Sequence, residues 1–195
     1  MTEERAVGRR LPPGSHGIPV DVVERNQRER LVAAMAEVCA ERGYAEAAVS
    51  AAAKRAGVST LTFYKQFADK RDCMLAAHRQ LLERLLEAVD RAREEAGDLG
   101  AMRRATVQIA LALFAADPPS AQLLTVEILA AGPEGAERHD AMVEAFAERL
   151  DTDWIRAAGI LALVGKRVIS GEAARLLELA DEFSALGGEA GEPQT

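Results

Sequence analysis

Residues 59–70 carry hydroxyl, amide and ammonium groups at helical spacing, in the order STLTFYKQFADK. At about 100° per residue, Phe63 and Phe67 share one side of a helix, while Leu61 and Thr62 point away from them. A hydroxyl group can hydrogen-bond a base edge, and an apolar side chain can contact a thymine methyl group. The spacing therefore predicts a short helix that packs by its aromatic side and reads DNA with the other.

Polar groups at the flanks of this helix suit the DNA backbone. Tyr64, Gln66 and Lys70 offer a hydroxyl, an amide and an ammonium group that could hold phosphates, and such contacts position a reading helix without specifying sequence. The alternative is a helical hairpin that only packs. The predicted DNA-contacting residues are Ser59, Thr60, Leu61, Thr62, Tyr64, Lys65, Gln66 and Lys70.

A second predicted helix, at about 49–56, must place this reading helix. One of its faces carries small apolar residues, which allow close approach of its neighbours. Gly57 is predicted to end it in a tight turn, and Ser59 to cap the next helix. The small residues are Val49, Ala52, Ala53 and Ala56.

A longer helix is predicted before these two. It is expected to start after Asp21, whose carboxylate can cap free amides, and to run to about Arg42, before a left-handed stop at Gly43. Its core-facing stripe is Leu31, Met35 and Val38, at i, i+4 and i+7.

Charge is unevenly distributed along the 195 residues. The net charge of −7 argues by itself against nucleic acid. Residues 54–71, however, hold five basic residues against Asp69 alone. A local basic patch on an acidic protein can hold phosphates while non-specific affinity stays low. The basic residues are Lys54, Arg55, Lys65, Lys70 and Arg71.

Residues 28–75 resemble the amino-terminal domain of the TetR (tetracycline-repressor) family of bacterial transcription regulators. The resemblance rests on ERGY at 41–44, AGVS at 56–59, TFY at 62–64, Phe67 and Lys70. The arm sequence LPPGSHGIP also resembles one found in some members.

The resemblance implies an all-α protein, with an amino-terminal three-helix DNA-binding domain containing a helix-turn-helix and a carboxy-terminal antiparallel helical bundle for ligand binding and dimerisation. It implies a homodimer on a near-palindromic double-stranded DNA operator, usually a repressor, released by an unknown small-molecule inducer. It directs Thr60, Leu61, Thr62 and Lys65 toward bases, and Tyr64, Gln66 and Lys70 toward phosphates.

Three residues depart from the pattern of that family. Ala48 stands where threonine is frequent and has no hydroxyl for a cap or a phosphate contact. Leu61 stands where glycine often lets the backbone approach DNA closely, and Ala52 replaces a frequent isoleucine. These differences bear on operator sequence and affinity rather than on the fold.

Helical patterns continue after the reading helix, separated by glycine and proline. They predict a bundle of antiparallel helices at about 69–96, 102–116, 120–131, 135–150, 152–170 and 172–186. The predicted organisation is a flexible arm at 1–20, a helix-turn-helix domain at 21–68, a ligand-binding and dimerisation domain at 69–186 and a disordered tail at 187–195.

Two sets of residues in the bundle are candidate sites. Each member of the first set can equally be ordinary core, and the second set can equally pack within one subunit. The ligand-pocket candidates are His78, Leu82, Leu85, Gln108, Leu111, Leu123, Met142 and Phe146. The dimer-interface candidates, on the last two helices, are Trp154, Ala158, Leu161, Gly165, Val168, Leu176, Leu179 and Phe183.

Other features favour a cytoplasmic protein without a membrane partner. No apolar run approaches the roughly 20 residues of a membrane span, and residues 1–20 lack the apolar core of a signal peptide. Cys39 and Cys73 sit in helical patterns without metal-ligand spacing, so buried structural thiols are predicted. The arm arginines Arg5, Arg9 and Arg10 could reach a minor groove, or belong to a solvated tail.

An enzyme is the main alternative class. His16, His78 and His139 show no nucleophile–base spacing or metal pair, and no glycine-rich phosphate loop is present, so neither catalysis nor a cofactor or metal is predicted. Two further alternatives are a DNA-binding protein of the same fold without an inducer, acting through architecture or a protein partner, and a helical interaction module that has lost DNA binding.

Overall fold

The computed structural model describes residues 19–186, which are almost entirely helical. The predicted arm and tail, with Arg5, Arg9 and Arg10, lie outside these residues. Two short 3₁₀ segments, Glu127–Ala131 and Ala173–Leu179, interrupt the α-helices. The α-helices are α1 (Val20–Glu46), α2 (Val49–Ala56), α3 (Thr60–Gln66), α4 (Lys70–Glu94), α5 (Leu99–Ala116), α6 (Pro118–Thr125), α7 (Pro133–Leu150), α8 (Trp154–Ile169) and α9 (Ala180–Leu186).

The chain forms two compact units that divide between Ala77 and His78. The division falls inside α4 rather than at residue 68, because the first turns of α4 pack with the amino-terminal helices. The first unit has the predicted stripe at its centre: Leu31, Met35 and Val38 are at most 1% exposed. The buried aromatic pair Phe63 and Phe67 completes this core.

Both ends of α1 differ from the sequence prediction. Pro19 precedes the first turn, no side chain caps it, and Asp21 lies inside the turn rather than before it. Gly43 interrupts the helix with φ 75° and ψ 155°, after which the chain stays helical to Glu46. A residue with a side chain would be strained at this positive φ, so the glycine is required by the backbone.

Both cysteine thiols are buried in the first unit, as predicted. The Sγ atom of Cys39 lies 3.9 Å from the sulfur of Met74, and Cys39 and Cys73 are both fully buried. Burial raises the pKa of the Cys73 thiol well above its ordinary value. Because the thiolate is the reactive form, these cysteines act as small core residues.

The second unit is a helical bundle around one apolar core. Leu85 and Val89 of α4 belong to it, together with residues of α5 to α9. Aspartates cap three of its helices: Asp98 accepts from Ala101 N–H, Asp117 from Ser120 N–H, and Asp153 from Arg156 N–H. The other core members include Leu111, Phe114, Met142, Phe146, Leu161, Val164, Leu176 and Phe183.

An ion pair ties α7 to α4 within this unit. Arg149 donates to both carboxylate oxygens of Asp90, at 2.8 and 2.7 Å. These hydrogen bonds lower the pKa of the Asp90 carboxyl below its ordinary value. Arg93 also donates to the hydroxyl of Thr106 on α5, at 3.1 Å, so α4, α5 and α7 share one polar cluster.

Two predicted helices are not continuous α-helices. The helix predicted at 120–131 ends at Thr125, and a 3₁₀ segment follows. The helix predicted at 172–186 begins as 3₁₀ and becomes α-helical only at Ala180. In the second case the buried residues Ala173, Leu176 and Leu179 repeat every third position, which is the period of a 3₁₀-helix.

Gly135 allows the first of these 3₁₀ segments to lie against α7. A Cβ atom at Gly135 would stand 2.1 Å from the carbonyl oxygen of Ile128. Backbone cannot move aside as a flexible side chain can, so this contact requires glycine.

Within the described residues, α5 meets the length and composition of a membrane span, with a mean hydropathy of 1.2 over 18 residues. A core helix can pass the same test. Val107, Leu111 and Phe114 of α5 are buried in the core of the second unit, which favours the core interpretation.

Candidate nucleic-acid interface

The turn between α2 and α3 is made by Gly57. Its left-handed conformation, φ 66° and ψ 36°, lets its N–H bond the carbonyl of Lys54, at 3.1 Å. The next N–H, of Val58, returns to the carbonyl of Ala53 at 3.0 Å. The predicted tight turn is present, and it fixes the direction in which α3 leaves.

Ser59 caps α3, as predicted. Its Oγ accepts a hydrogen bond from the N–H of Thr62 at 3.0 Å. The two hydroxyl groups of Ser59 and Thr62 are also 2.9 Å apart. The Thr62 hydroxyl, predicted to face bases, is therefore already oriented by the cap.

The aromatic side of α3 packs inward, as predicted. Phe63 is 0% and Phe67 2% exposed, and their ring centroids lie 5.4 Å apart. The opposite side is open: Leu61 is 68% and Tyr64 58% exposed. We call Leu61, Tyr64 and the exposed Lys65 the reading face.

Two arginines of α1 hold the ends of the helix pair. Arg28 Nη1 donates to the carbonyl of Gln66, the last residue of α3, at 2.7 Å. Arg30 Nη1 donates to the carbonyl of Ala56, the last residue of α2, at 2.7 Å. The last carbonyls of a helix lack intrahelical partners and carry partial negative charge, so cations are stabilising there.

The sequence reasoning missed both arginines. Arg28 and Arg30 are 38 and 26 residues from their acceptors, and no local spacing rule connects a side chain to a carbonyl at that distance. Through these hydrogen bonds they tie α1 to the ends of α2 and α3.

Part of the basic patch is neutralised within the first unit. Arg55 pairs with Glu41 at 2.8 Å and with Glu37 at 3.5 Å. The hydrogen bond from Arg55 lowers the pKa of the Glu41 carboxyl. The charge of Arg55 therefore stabilises the contact of α2 with α1, whereas Lys54 and Lys65 stay exposed.

The structure gives Lys70 different contacts from the predicted one. Its ammonium donates to the carbonyls of Tyr44 and Ala45, at 2.7 and 3.1 Å, and lies 4.4 Å from the centroid of the Tyr44 ring. An ammonium has three N–H donors, so two of them are engaged at the end of α1. Lys70 therefore braces α4 against α1, and its predicted phosphate contact stays a prediction.

Ala48 leaves α2 without a side-chain cap. Its backbone, at φ −100° and ψ 138°, has the conformation of a capping residue, but no side chain accepts from the first amides. Ala48 is exposed. The sequence predicts that Ala48 cannot cap α2, and the structure shows no side-chain cap at this position.

The ligand-pocket candidates lie in several different surroundings. Leu111 and Phe146 line an apolar cavity of about 20 Å³, together with Leu161 and Phe183. Such a volume holds about one water molecule. Gln108 is exposed, and Leu82 is half-buried against the core. His78, Leu123 and Met142 are buried without lining this cavity, and Leu85 lines a separate groove.

Most dimer-interface candidates are buried within the subunit. On α8, other apolar residues are exposed instead, among them Ile155 and Ile169. Trp154 is 44% exposed and Ala158 half-buried. The six candidates that the subunit covers are Leu161, Gly165, Val168, Leu176, Leu179 and Phe183, for which the within-subunit alternative describes the packing.

Comparison with known proteins agrees with this geometry. A helix-turn-helix unit followed by an all-helical unit defines a class of DNA-binding regulators. Residues 31–77 match the family described as "Bacterial regulatory proteins, tetR family". The match confirms that these residues resemble the TetR family, as the sequence motifs indicated.

Named relatives extend the comparison. Over 81 residues the chain is 42% identical to the HTH-type transcriptional regulator BetI of Stenotrophomonas maltophilia (strain R551-3). The aligned segment covers 42% of this chain and 41% of BetI. FadR of Bacillus halodurans, a fatty acid degradation regulator, superposes with TM-score 0.72 at 23% identity, covering 85% of this chain and 97% of that one.

FadR of Bacillus subtilis, solved in complex with stearoyl-CoA, gives TM-score 0.71 at 20% identity, covering 84% and 98% of the two chains. At these identities the two FadR structures show a shared fold. The regulators of this family are transcription factors. Among the described residues, no group of three or more His, Cys, Asp or Glu side chains could hold a metal ion.

Proposed function

We propose that this protein is a repressor that binds a near-palindromic operator as a homodimer and leaves it when a small molecule binds the carboxy-terminal unit. The observation that supports DNA binding most directly is the reading face, whose Leu61 and Tyr64 are 68% and 58% exposed on a helix fixed at both ends. A large apolar side chain that the core does not need suits a thymine methyl group. The protein would act in the cytoplasm.

A footprint on the DNA around its own gene tests operator binding. Two-fold proteins contact half-sites about one helical turn, or about 10 base pairs, apart, so we expect two protected half-sites related by symmetry. Thr62→Ala should change preference at one base pair, and Tyr64→Phe should weaken all sequences alike. Uniform protection of any DNA, or none at moderate salt, would contradict the proposal.

A homodimer is proposed through the outer face of α8. Ile155 is 78% and Ile169 58% exposed, and the exposed small residues Gly159 and Ala162 lie between them at helical spacing. Covering these residues with a second copy would bury apolar surface that one subunit leaves in water.

Light scattering tests the dimer. We expect a mass near twice 20.9 kDa for the unaltered protein and a monomer for Ile155→Lys combined with Ile169→Lys. Leu129→Lys is the matched control, because Leu129 is also exposed, at 49%, but lies outside α8. A monomeric unaltered protein, or a dimer in both variants, would rule out this face.

Release by a ligand is the third part of the proposal. FadR of Bacillus subtilis has this fold and holds stearoyl-CoA, which makes long-chain acyl thioesters the first class to test. The test is loss of the operator footprint on titration with the thioester. A footprint that persists for every small molecule tried would favour a regulator of the same fold without an inducer.

One observation favours this second candidate, a regulator of the same fold without an inducer. The apolar cavity lined by Leu111 and Phe146 has a volume of only about 20 Å³, which holds about one water molecule. Such a protein would respond to a protein partner or to its own concentration.

A further inference from the structure

An open groove lies on the second unit, on the surface of α4 that faces α5 and α6. Its volume is about 320 Å³, which is at the lower limit of the roughly 300–1,000 Å³ of small-molecule pockets. Its lining is Leu81, Arg84, Leu85, Ala88 and Arg91 from α4, and Leu113, Phe114, Asp117, Ser120, Ala121 and Leu124 from the chain between 113 and 124.

The α4 residues of this groove lie on one face of the helix. Their spacing is i, i+3, i+4, i+7 and i+10, which alternates apolar residues with Arg84 and Arg91. Leu85, Phe114 and Leu124 form a buried apolar floor. Leu113 is 41% exposed, so apolar surface also remains open to solvent at the groove.

Two of the basic residues at the groove lack a carboxylate partner. Residues 75–195 contain 12 basic and 21 acidic residues, and several other arginines there pair with carboxylates, as Arg149 does with Asp90. Within residues 19–186, Arg84 and Arg91 make no ion pair within 4.0 Å, even though Glu83 and Glu87 are their neighbours on α4.

Asp117 is the acidic residue of the lining, and its carboxylate is already engaged. It accepts from the N–H of Ser120 at 3.2 Å and from the Ser120 hydroxyl at 2.6 Å, as the cap of α6. The groove therefore combines an apolar floor with two arginines that have no internal counter-charge.

From this combination we propose that the groove binds an amphipathic anion, an alkyl chain that carries a carboxylate or phosphate group. The chain covers the floor between Leu85 and Leu124, and the anion contacts Arg84 or Arg91. A guanidinium binds carboxylate and phosphate oxygens through paired N–H donors. The inference deepens the proposed function, on which it rests for the role of the groove as the ligand site.

The spacing of the arginines indicates an elongated ligand. Seven residues separate Arg84 from Arg91, which is about 10 Å along the helix axis at 1.5 Å per residue. One small anion would contact one of them only. An alkyl chain lying along α4 would pass both, so an anion at either end of the groove can be held.

Isothermal titration calorimetry on the full chain, without DNA, tests the inference. The probes are decanoate, decanol and decyltrimethylammonium, which share a tail and differ in the charge of the head group. We expect decanoate to bind at least tenfold more tightly than decanol, and the cationic probe to bind more weakly than both. Equal affinity of decanoate and decanol would overturn the proposal.

Variants separate the anion contact from the tail contact. Arg84→Gln combined with Arg91→Gln should remove the preference for decanoate over decanol. Arg79→Gln is the matched control, since Arg79 is an exposed arginine of α4 outside the groove. Leu113→Gln should weaken both probes by a similar factor, and because Leu113 is 41% exposed we expect the variant to fold. Unchanged decanoate binding in the double arginine variant would also overturn the proposal.

A final comparison distinguishes the source of the anion. Decanoyl-coenzyme A carries its charge on phosphates and decanoate on a carboxylate, so the tighter of the two identifies the head group. The footprint of the unliganded protein is measured separately. If the protein protects an operator but binds none of the probes, only the ligand-binding role of the groove is refuted. If it binds a probe but gives no footprint, the proposal that it binds an operator is refuted instead.

Discussion

The guanidinium of Arg28 joins the first helix to the last carbonyl of the reading helix, at 2.7 Å from the oxygen of Gln66. The same guanidinium lies 4.2 Å from the centroid of the Phe67 ring. One side chain therefore fixes both the end of α3 and the aromatic residue that follows it. Because base contacts depend on where α3 points, we expect Arg28 to affect DNA reading by orienting α3.

Replacing Arg28 should weaken the first unit and its DNA binding together. Arg28→Ala removes a charged hydrogen bond and a cation–π contact, which we expect to cost about 2 kcal/mol of stability. Urea unfolding and operator affinity are the measurements. Arg25→Ala is the control, since Arg25 makes an exposed pair with Asp21 and should change little. Equal effects of both substitutions would contradict the assigned role.

Lys65 and Lys70 should respond differently to salt. Lys65 is exposed on the reading face, so Lys65→Met should reduce the slope of log affinity against log salt by about 1 per subunit. Lys70→Met should instead lower stability, because it removes the donor to the Tyr44 and Ala45 carbonyls, and leave that slope unchanged. A reduced slope for Lys70→Met would restore the phosphate contact predicted from the sequence.

Ala48→Ser should supply the missing cap of α2. The backbone at this position already has the extended conformation of a capping residue, so a serine oxygen can accept from the free amides. We expect a gain of about 0.5–1 kcal/mol in the free energy of unfolding. Ala33→Ser, at an exposed position inside α1, is the control and should destabilise slightly. A loss of stability in Ala48→Ser would show that the amides are satisfied otherwise.

His78 should make stability depend on pH. It is 1% exposed and its Nε2 has no hydrogen-bond partner. Burial, with smaller contributions from Arg138 and His139, lowers its pKa from 6.5 to about 4. Between these values the unfolded chain binds a proton that the folded chain does not, so stability falls as pH falls from about 6.5 to 4.

The size of this effect is on the order of 3 kcal/mol. Urea unfolding of the unaltered protein and of His78→Phe, at intervals from pH 7 to 4, isolates it as the difference between the two curves. We expect that difference to change through this window and to be constant above pH 7. A constant difference throughout would show that His78 does not titrate as described.

Local signals in the sequence were sufficient to predict the turn between α2 and α3 and the buried side of α3. A positive φ favours glycine, a hydroxyl caps the following amides, and aromatic residues four apart share a helix face, so Gly57, Ser59, Phe63 and Phe67 were assigned correctly. The contacts of Arg28 and Lys70 could not be inferred in the same way. Their acceptors are backbone carbonyls, which every residue has, brought near by the tertiary fold.

The second unit was harder to predict for a different reason. α8 has apolar residues on two faces, so spacing alone did not distinguish the buried face of Leu161 and Val168 from the exposed face of Ile155 and Ile169. Most of the ligand-pocket candidates are apolar, and apolar character does not distinguish a core residue from a cavity residue. The groove is formed by the packing of α4 against α5 and α6, which the sequence does not give. That its two arginines lack ion-pair partners can be seen only in the structure.

The burial of both native thiols makes the chain suitable for spectroscopic labelling. Cys39 and Cys73 are shielded from solvent, and the Cys73 thiol is strongly disfavoured as a thiolate, so maleimide dyes should spare them in the folded protein. A single cysteine introduced at Lys54 would then carry the dye alone. Fluorescence from that position could report the approach of DNA without altering the residues of the reading face.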